Sequence, residues 1–203
     1  AREYFWAIGR TKDVAKLTSE SVLRFAKEIG SDAARWYFWT IGETESAKEL
    51  TDDRVLKTAS FVKEIGSEAA REYFWAIGRT KAVEELTNDR VLQTANFIKD
   101  IEPETAYWYF LVIGRTKAVE ELTSKSVLQT ASFIKTIELE TAHKYFLTIG
   151  RTKAVKELTD NRVLNFIKDI GRDEAHWYFD AMDKMGAVEE LTEASFLDWY
   201  RNA

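Results

Sequence analysis

The pair Tyr-Phe recurs six times along this chain, at Tyr4-Phe5, Tyr37-Phe38, Tyr73-Phe74, Tyr109-Phe110, Tyr145-Phe146 and Tyr178-Phe179. The steps between them are 33, 36, 36, 36 and 33 residues. Longer blocks repeat unchanged: AREYFWAIGRTK stands at Ala1–Lys12 and at Ala70–Lys81, and TKAVEELT at Thr80–Thr87 and Thr116–Thr123. A period of this length marks stacked supersecondary units, each too small to bury its own apolar face. Identical blocks point to recent duplication or to a consensus array.

One unit, Ser67 to Glu102, reads as three helical segments. In the first, Ser67 to Ile77, Ser67 stands at the cap position with Glu68 in the first turn. Ala70, Tyr73, Phe74 and Ile77 follow on one stripe at i, i+3, i+4, i+7. Gly78 has the position of a left-handed stop. The second segment is short, with Thr80 as its cap, Ala82, Val83 and Leu86 on one side and Glu84 and Glu85 on the other. Thr87 then caps a third helix, Asn88 to Ile101, with a wide apolar face of Val91, Leu92, Ala95, Phe97, Ile98 and Ile101. Pro103 opens the next first helix, where its missing N–H costs nothing. The 33-residue steps arise because three residues, nearly a full turn, are missing from the third helix: Leu23 to Phe25 and Leu164 to Phe166 are two positions apart, Leu92 to Phe97 five.

No alternating β-branched run competes with the helical reading. The expected fold is all-α: a right-handed α-solenoid of about six repeats of 33–36 residues, each of two longer helices plus a short one. With helices roughly 8–10 Å apart, the array makes a curved rod about 50 Å or more long. It is expected to form a single domain over residues 1–203, with an incomplete first unit and a divergent capping unit over 176–203, where Met182-Asp183-Lys184-Met185 replaces Ile-Gly-Arg-Thr.

Composition limits what such an array does. The absence of Cys removes disulfides, thiolate nucleophiles and Cys-ligated metals. The longest apolar run, Ala106–Ile113, is eight residues, far short of a membrane span. No basic-then-apolar leader opens the chain, so a cytoplasmic location is favoured among otherwise open possibilities. Lys and Arg number 29 against 34 Asp and Glu, which argues against a general nucleic-acid coat and for a basic partner. Few Asn, Gln and Met beside many charges suit a thermostable protein.

In general shape, short-helix repeats of this kind resemble the armadillo, HEAT and Pumilio superclass. Asn88-Asp89-Arg90-Val91-Leu92-Gln93 looks like the base-reading helix of Pumilio repeats. Ser19-Glu20-Ser21 and Ser124-Lys125-Ser126 lack its planar stacking residue, and the glycine before that helix is missing. The Leu-Thr opening of the third helix is similar to the start of TAL-effector repeats, without their glycine-containing reading loop. The resemblance covers the whole chain but is one of architecture, and no residue role is carried over from any of these families.

The candidate site follows from helix angles. With Ala70, Tyr73, Phe74 and Ile77 facing inward, positions 72 and 75 lie about 150° away on the opposite face. The column of Trp75 contains Trp6 and Trp39. The column of Glu72 reads Glu3, Trp36, Glu72, Trp108, Lys144, Trp177, and beside it runs Arg2, Arg35, Arg71, Tyr107, His143, His176. Stacked units line these up as an aromatic and cationic ribbon. Either it is packing, with arginine stems covering the rings, or it is a recognition surface of the residue types that dominate binding hot spots.

The leading expectation is a non-enzymatic scaffold that binds a protein or peptide through Arg35, Trp36, Trp39, Arg71, Trp75, Tyr107 and Trp108. The alternatives are single-stranded nucleic-acid binding, with bases on those rings and phosphates at Arg35, Arg71, Lys81 and Lys117, and a designed or consensus array without a ligand. The Gly-Arg-Thr-Lys motif at Gly9, Gly78, Gly114 and Gly150 reads as a salt-bridged rim. Catalytic residues, metal ligands and a cofactor are not expected: His143 and His176 lack a third ligand, and no phosphate loop, nucleophile elbow or HExxH is present. End-to-end self-association is a further expectation.

Overall fold

Tyr and Phe adjacent on a helix point to neighbouring sectors, so one helix offers an aromatic group to each of two neighbours. The computed structural model, which describes residues 1–92 and 97–202, is built on that property. It is all-helical, with no strand among the described residues. A fourteen-residue helix recurs as Ser31–Thr44, Pro103–Thr116 and Leu139–Thr152. Two more such helices are the second halves of Ala59–Thr80 and Asn161–Met185, which bend at Gly66 and Gly171. Arg2–Arg10 heads the series, and each member packs on the next in chain order. Four- or five-residue helices follow them, from Val14–Leu17 to Val188–Thr192.

Aromatic contacts join the series. Phe74 lies 5.2 Å from Tyr37 on the preceding long helix and 6.3 Å from Phe25 one segment further back. Phe110 repeats this with Tyr73 and Phe61 at 5.1 and 6.3 Å, and Phe146 with Tyr109 and Phe97 at 5.3 and 6.2 Å. All are edge-to-face, a geometry worth about 0.5–1.5 kcal/mol per pair beyond the buried area. Tyr37 and Tyr178 donate their hydroxyls to the carbonyls of Leu50 and Leu191. Burial drives the pKa of each phenol far upward.

Several local expectations are corrected. Gly78 does not stop its helix, which runs to Thr80; Lys81 is the left-handed residue, its N–H bonded to the Ile77 carbonyl. Lys117 and Lys153 repeat that cap. The glycine serves helix approach instead: a Cβ on Gly78 lies 2.6 Å from the Thr44 hydroxyl, and one on Gly150 lies 2.7 Å from that of Thr116. Gly66 rather than Ser67 precedes the first helical turn. Thr80 ends its helix and accepts from the Ala82 N–H, while Ala82 holds the cap position of the short helix. Thr87 closes that helix, and Asn88 caps the next by accepting from the Arg90 N–H at 2.8 Å.

The third helix is also not continuous where three extra residues are present. The 33-residue segments carry one helix there, Glu20–Ile29, or the first half of Asn161–Met185. The 36-residue segments break it, as in Lys125–Leu128 followed by Ala131–Ile134. Thr58 and Thr130 sit at the break, and their hydroxyls donate to the carbonyls of Val55 and Val127 at 2.7 Å. Side-chain bonding of this kind competes with the helical ladder. In the corresponding expected helix Asn88–Ile101, the structure gives Asp89–Leu92 and Phe97–Asp100; Gln93 and Ala95 lie outside the described residues.

The junction into a long helix passes through positive φ at Gly30, Gly66, Glu102 and Gly171, whereas Glu138 is ordinary extended backbone. Gly66 has φ 77° and ψ 166°, a region nearly closed to residues with a Cβ, yet Glu102 adopts φ 67° and ψ 154° at the equivalent place. That conformation costs of order 1–3 kcal/mol. Glu102→Gly is therefore expected to stabilise the chain by about 1 kcal/mol, read as a rise in melting temperature of roughly 2–4 °C.

Candidate functional site

The seven site residues come from three consecutive long helices. Arg35, Trp36 and Trp39 project from Ser31–Thr44, Arg71 and Trp75 from Ala59–Thr80, and Tyr107 and Trp108 from Pro103–Thr116. Arg35 is exposed and the other six are half-buried, so the ribbon is neither core nor a free surface. Trp39 and Trp75 stack at 5.3 Å with planes 23° apart, and Trp36 meets Trp39 edge-on at 5.8 Å.

Arg71 ties the ribbon together across three helices. Its guanidinium lies over Trp36 at 5.1 Å and over Tyr107 at 5.4 Å, and it donates to the Tyr107 hydroxyl at 3.1 Å. It also pairs with Glu72 at 2.8 Å and with Glu68 at 3.3 Å. Glu72 is a buried carboxylate, and Arg71 is its counter-charge. Burial opposes the charge on Arg71, but the hydrogen bond and charge of Glu72 outweigh it, so its pKa is raised. Arg35 adds a second cation over Trp36 at 4.4 Å.

A cleft of about 610 Å³ opens among these groups, lined by Trp36, Trp39, Arg71, Glu72, Trp75, Arg79, Leu111, Gly114 and Arg115. Arg79 and Arg115 were placed in the rim motif by sequence, yet they border the aromatic cleft. The signal was available: Arg79 is four residues after Trp75 on one helix, and its guanidinium lies 5.7 Å from that ring. Neither Arg79 nor Arg115 has a carboxylate partner among the described residues. Gly114 lets the Trp75 indole approach the next helix closely, since a Cβ there lies 3.1 Å from its Cδ1. Tyr107 and Trp108 lie beside this cleft and meet edge-on at 5.1 Å.

Trp108 stacks on His143 at 4.1 Å. Burial first, then the charges of Lys144, Arg115 and Arg151, lower the His143 pKa. A neutral ring is thus favoured in the fold, and stability falls as pH drops below the ordinary histidine value near 6.5. The expected NMR titration midpoint of His143 lies below that value and returns toward it in urea. His176 meets Trp177 edge-on, and no three His, Cys, Asp or Glu side chains gather to hold a metal among the described residues.

The other motifs resolve into structural roles. Lys81 pairs with Glu49 at 3.5 Å and Lys153 with Glu121 at 3.1 Å, each reaching back to the preceding segment. The Asn88 carboxamide is spent on its cap, and Gln93 lies outside the described residues. No helix among the described residues is long and apolar enough to cross a membrane. No protein-family profile, curated protein or solved structure matches this chain.

Proposed function

We propose that the chain is an α-solenoid of six repeats and a non-enzymatic scaffold that takes an extended, acidic peptide or protein segment along the Trp36–Trp39–Trp75 cleft. The observation that carries this reading is the pairing of half-buried tryptophans with two arginines, Arg79 and Arg115, that have no carboxylate of their own among the described residues. Rigid aromatic walls supply contact area at small entropic cost, and unpaired guanidiniums at their edge select carboxylates. The expectation of a basic partner followed from the net charge of the whole chain. The cleft lining is locally of the opposite sign, with three arginines against Glu72, and contacts are governed by local charge.

The ring contacts favour a peptide over single-stranded nucleic acid. Two guanidiniums already lie over Trp36, and Trp75 is stacked on Trp39 with Arg79 at its ring. Base stacking needs open ring faces. The test is selection from a random peptide library on the folded chain. Acidic peptides with an apolar anchor are expected, bound at least tenfold more weakly by Trp39→Ala/Trp75→Ala and by Arg79→Ala/Arg115→Ala, with the helical circular-dichroism signal retained. Enrichment of basic peptides, tighter binding of mixed single-stranded DNA, or unchanged affinity in both variants contradicts the reading.

A further inference from the structure

One column of charges beside the cleft has a sign pattern. The position of Arg79 on each long helix is held in turn by Arg10, Glu43, Arg79, Arg115, Arg151 and Lys184. Three of these are already bonded. Arg10 donates to the Gly42 carbonyl at 3.0 Å, Arg151 pairs with Asp183 at 3.0 Å, and Lys184 pairs with Asp180 at 2.6 Å. Glu43, Arg79 and Arg115 are exposed and have no ion-pair partner among the described residues. Three successive helices therefore offer one negative and then two positive charges. Each charge stands four residues after an apolar side chain, Trp39, Trp75 or Leu111, and so lies one turn along the same helix face. The arginines and all three apolar groups line the cleft of about 610 Å³, and Glu43 continues the row by repeat position.

The pitch of this row is the spacing of packed helices. Gly114 keeps it short, since a Cβ there lies 3.5 Å from the Ala76 Cα on the preceding helix. Helices in contact lie about 8–10 Å apart. A polyproline II segment has three residues per turn and rises about 3.1 Å per residue, so side chains three apart share one face at about 9 Å. A β-strand returns to a face at about 6.7 Å and falls out of step. An α-helix returns at about 10.5 Å, after seven residues, but its carbonyls are bonded within the helix. Polyproline II leaves its carbonyls free, and the indole N–H groups of Trp36, Trp39 and Trp75 donate to nothing among the described residues. Aromatic grooves bind such segments through these two properties.

We infer that the cleft takes a proline-rich segment in the polyproline II form with a charge at every third residue, one base followed by two acids. The base meets Glu43, and the acids meet Arg79 and Arg115. Prolines at the intervening positions lie against Trp39, Trp75 and Leu111, and segment carbonyls accept from the indole N–H groups. This inference rests on the acidic-peptide reading of the cleft and adds its conformation and spacing.

Fluorescence anisotropy with labelled synthetic peptides tests it. Lys-Pro-Pro-Glu-Pro-Pro-Glu and the reverse order Glu-Pro-Pro-Glu-Pro-Pro-Lys cover both chain directions. One of them is expected to bind the folded chain at least tenfold more tightly than two peptides of the same composition. Glu-Pro-Pro-Lys-Pro-Pro-Glu sets a lysine against the middle arginine, and Lys-Pro-Glu-Pro-Glu-Pro-Pro sets the charges two residues apart. Glu43→Arg, an exposed change expected to leave the circular-dichroism signal unaltered, switches the preference. It is expected to bind Glu-Pro-Pro-Glu-Pro-Pro-Glu at least tenfold more tightly than the wild type does, and the lysine-containing peptide more weakly. Equal affinity for all four lysine-containing peptides, or an unchanged preference in Glu43→Arg, overturns the inference. If library-selected acidic peptides still bind through the arginines, the acidic-peptide reading stands without it; if no peptide of either set binds, both fall.

Discussion

Phe110→Ala is expected to destabilise the chain by about 3–5 kcal/mol, whereas Phe5→Ala in the same 203-residue chain changes stability by less than about 0.5 kcal/mol. The two phenylalanines hold the same place in the repeat. Phe110 is fully buried between Tyr73 and Phe61, so truncation opens a cavity between Pro103–Thr116 and both limbs of the bent helix Ala59–Thr80 and removes the two edge-to-face contacts between these helices. Among the described residues Phe5 has only Tyr4 as an aromatic neighbour, at 5.6 Å. Urea unfolding of both variants is the check. Equal losses contradict an aromatic column that is closed inside the series and open at its first member.

Arg71→Ala is expected to cost about 2–3 kcal/mol, somewhat below a fully buried pair because a quarter of the arginine side chain remains exposed. The loss comes from Glu72, left buried with its charge uncompensated, more than from the ring contacts. Arg71→Ala/Glu72→Leu is therefore expected to recover most of that stability, since an apolar side chain suits the site once the cation is gone. Thermal melts of the two single variants and the double form the cycle. If the double variant is as unstable as Arg71→Ala, the arginine stabilises chiefly through Trp36 and Tyr107, and the assignment of Glu72 as its main partner fails.

Much of the helical order was legible from apolar residues at helical spacing, whereas the cap of the third segment was read one residue early, at Thr87, in place of Asn88 and its counterparts Ser19 and Asp160. Gly78 misled because glycine has two uses. Its sequence position fits a helix stop, but the tolerance that matters is the missing Cβ facing Thr44 on the adjacent helix. The break at Thr58 and Thr130 escaped periodicity, since three residues almost preserve the helical phase while a threonine hydroxyl ends the ladder. The ribbon residues followed from angles alone. Their half-burial did not, because it depends on how closely the next helix approaches, which Gly114 sets for Trp75. Arg79 and Arg115 were separated from the aromatics because they belong to a different sequence motif, although one helical turn joins them.

The most direct test of the ribbon as a recognition surface uses the seven tryptophans as reporters, through the indole N–H resonances of the nitrogen-15-labelled chain. Addition of a library-selected acidic peptide is predicted to shift the signals of Trp36, Trp39 and Trp75, with Trp108 beside them, and to leave Trp177 and Trp199 in place. Shifts confined to Trp177 and Trp199, or no shift in any indole at saturating peptide, would contradict the account.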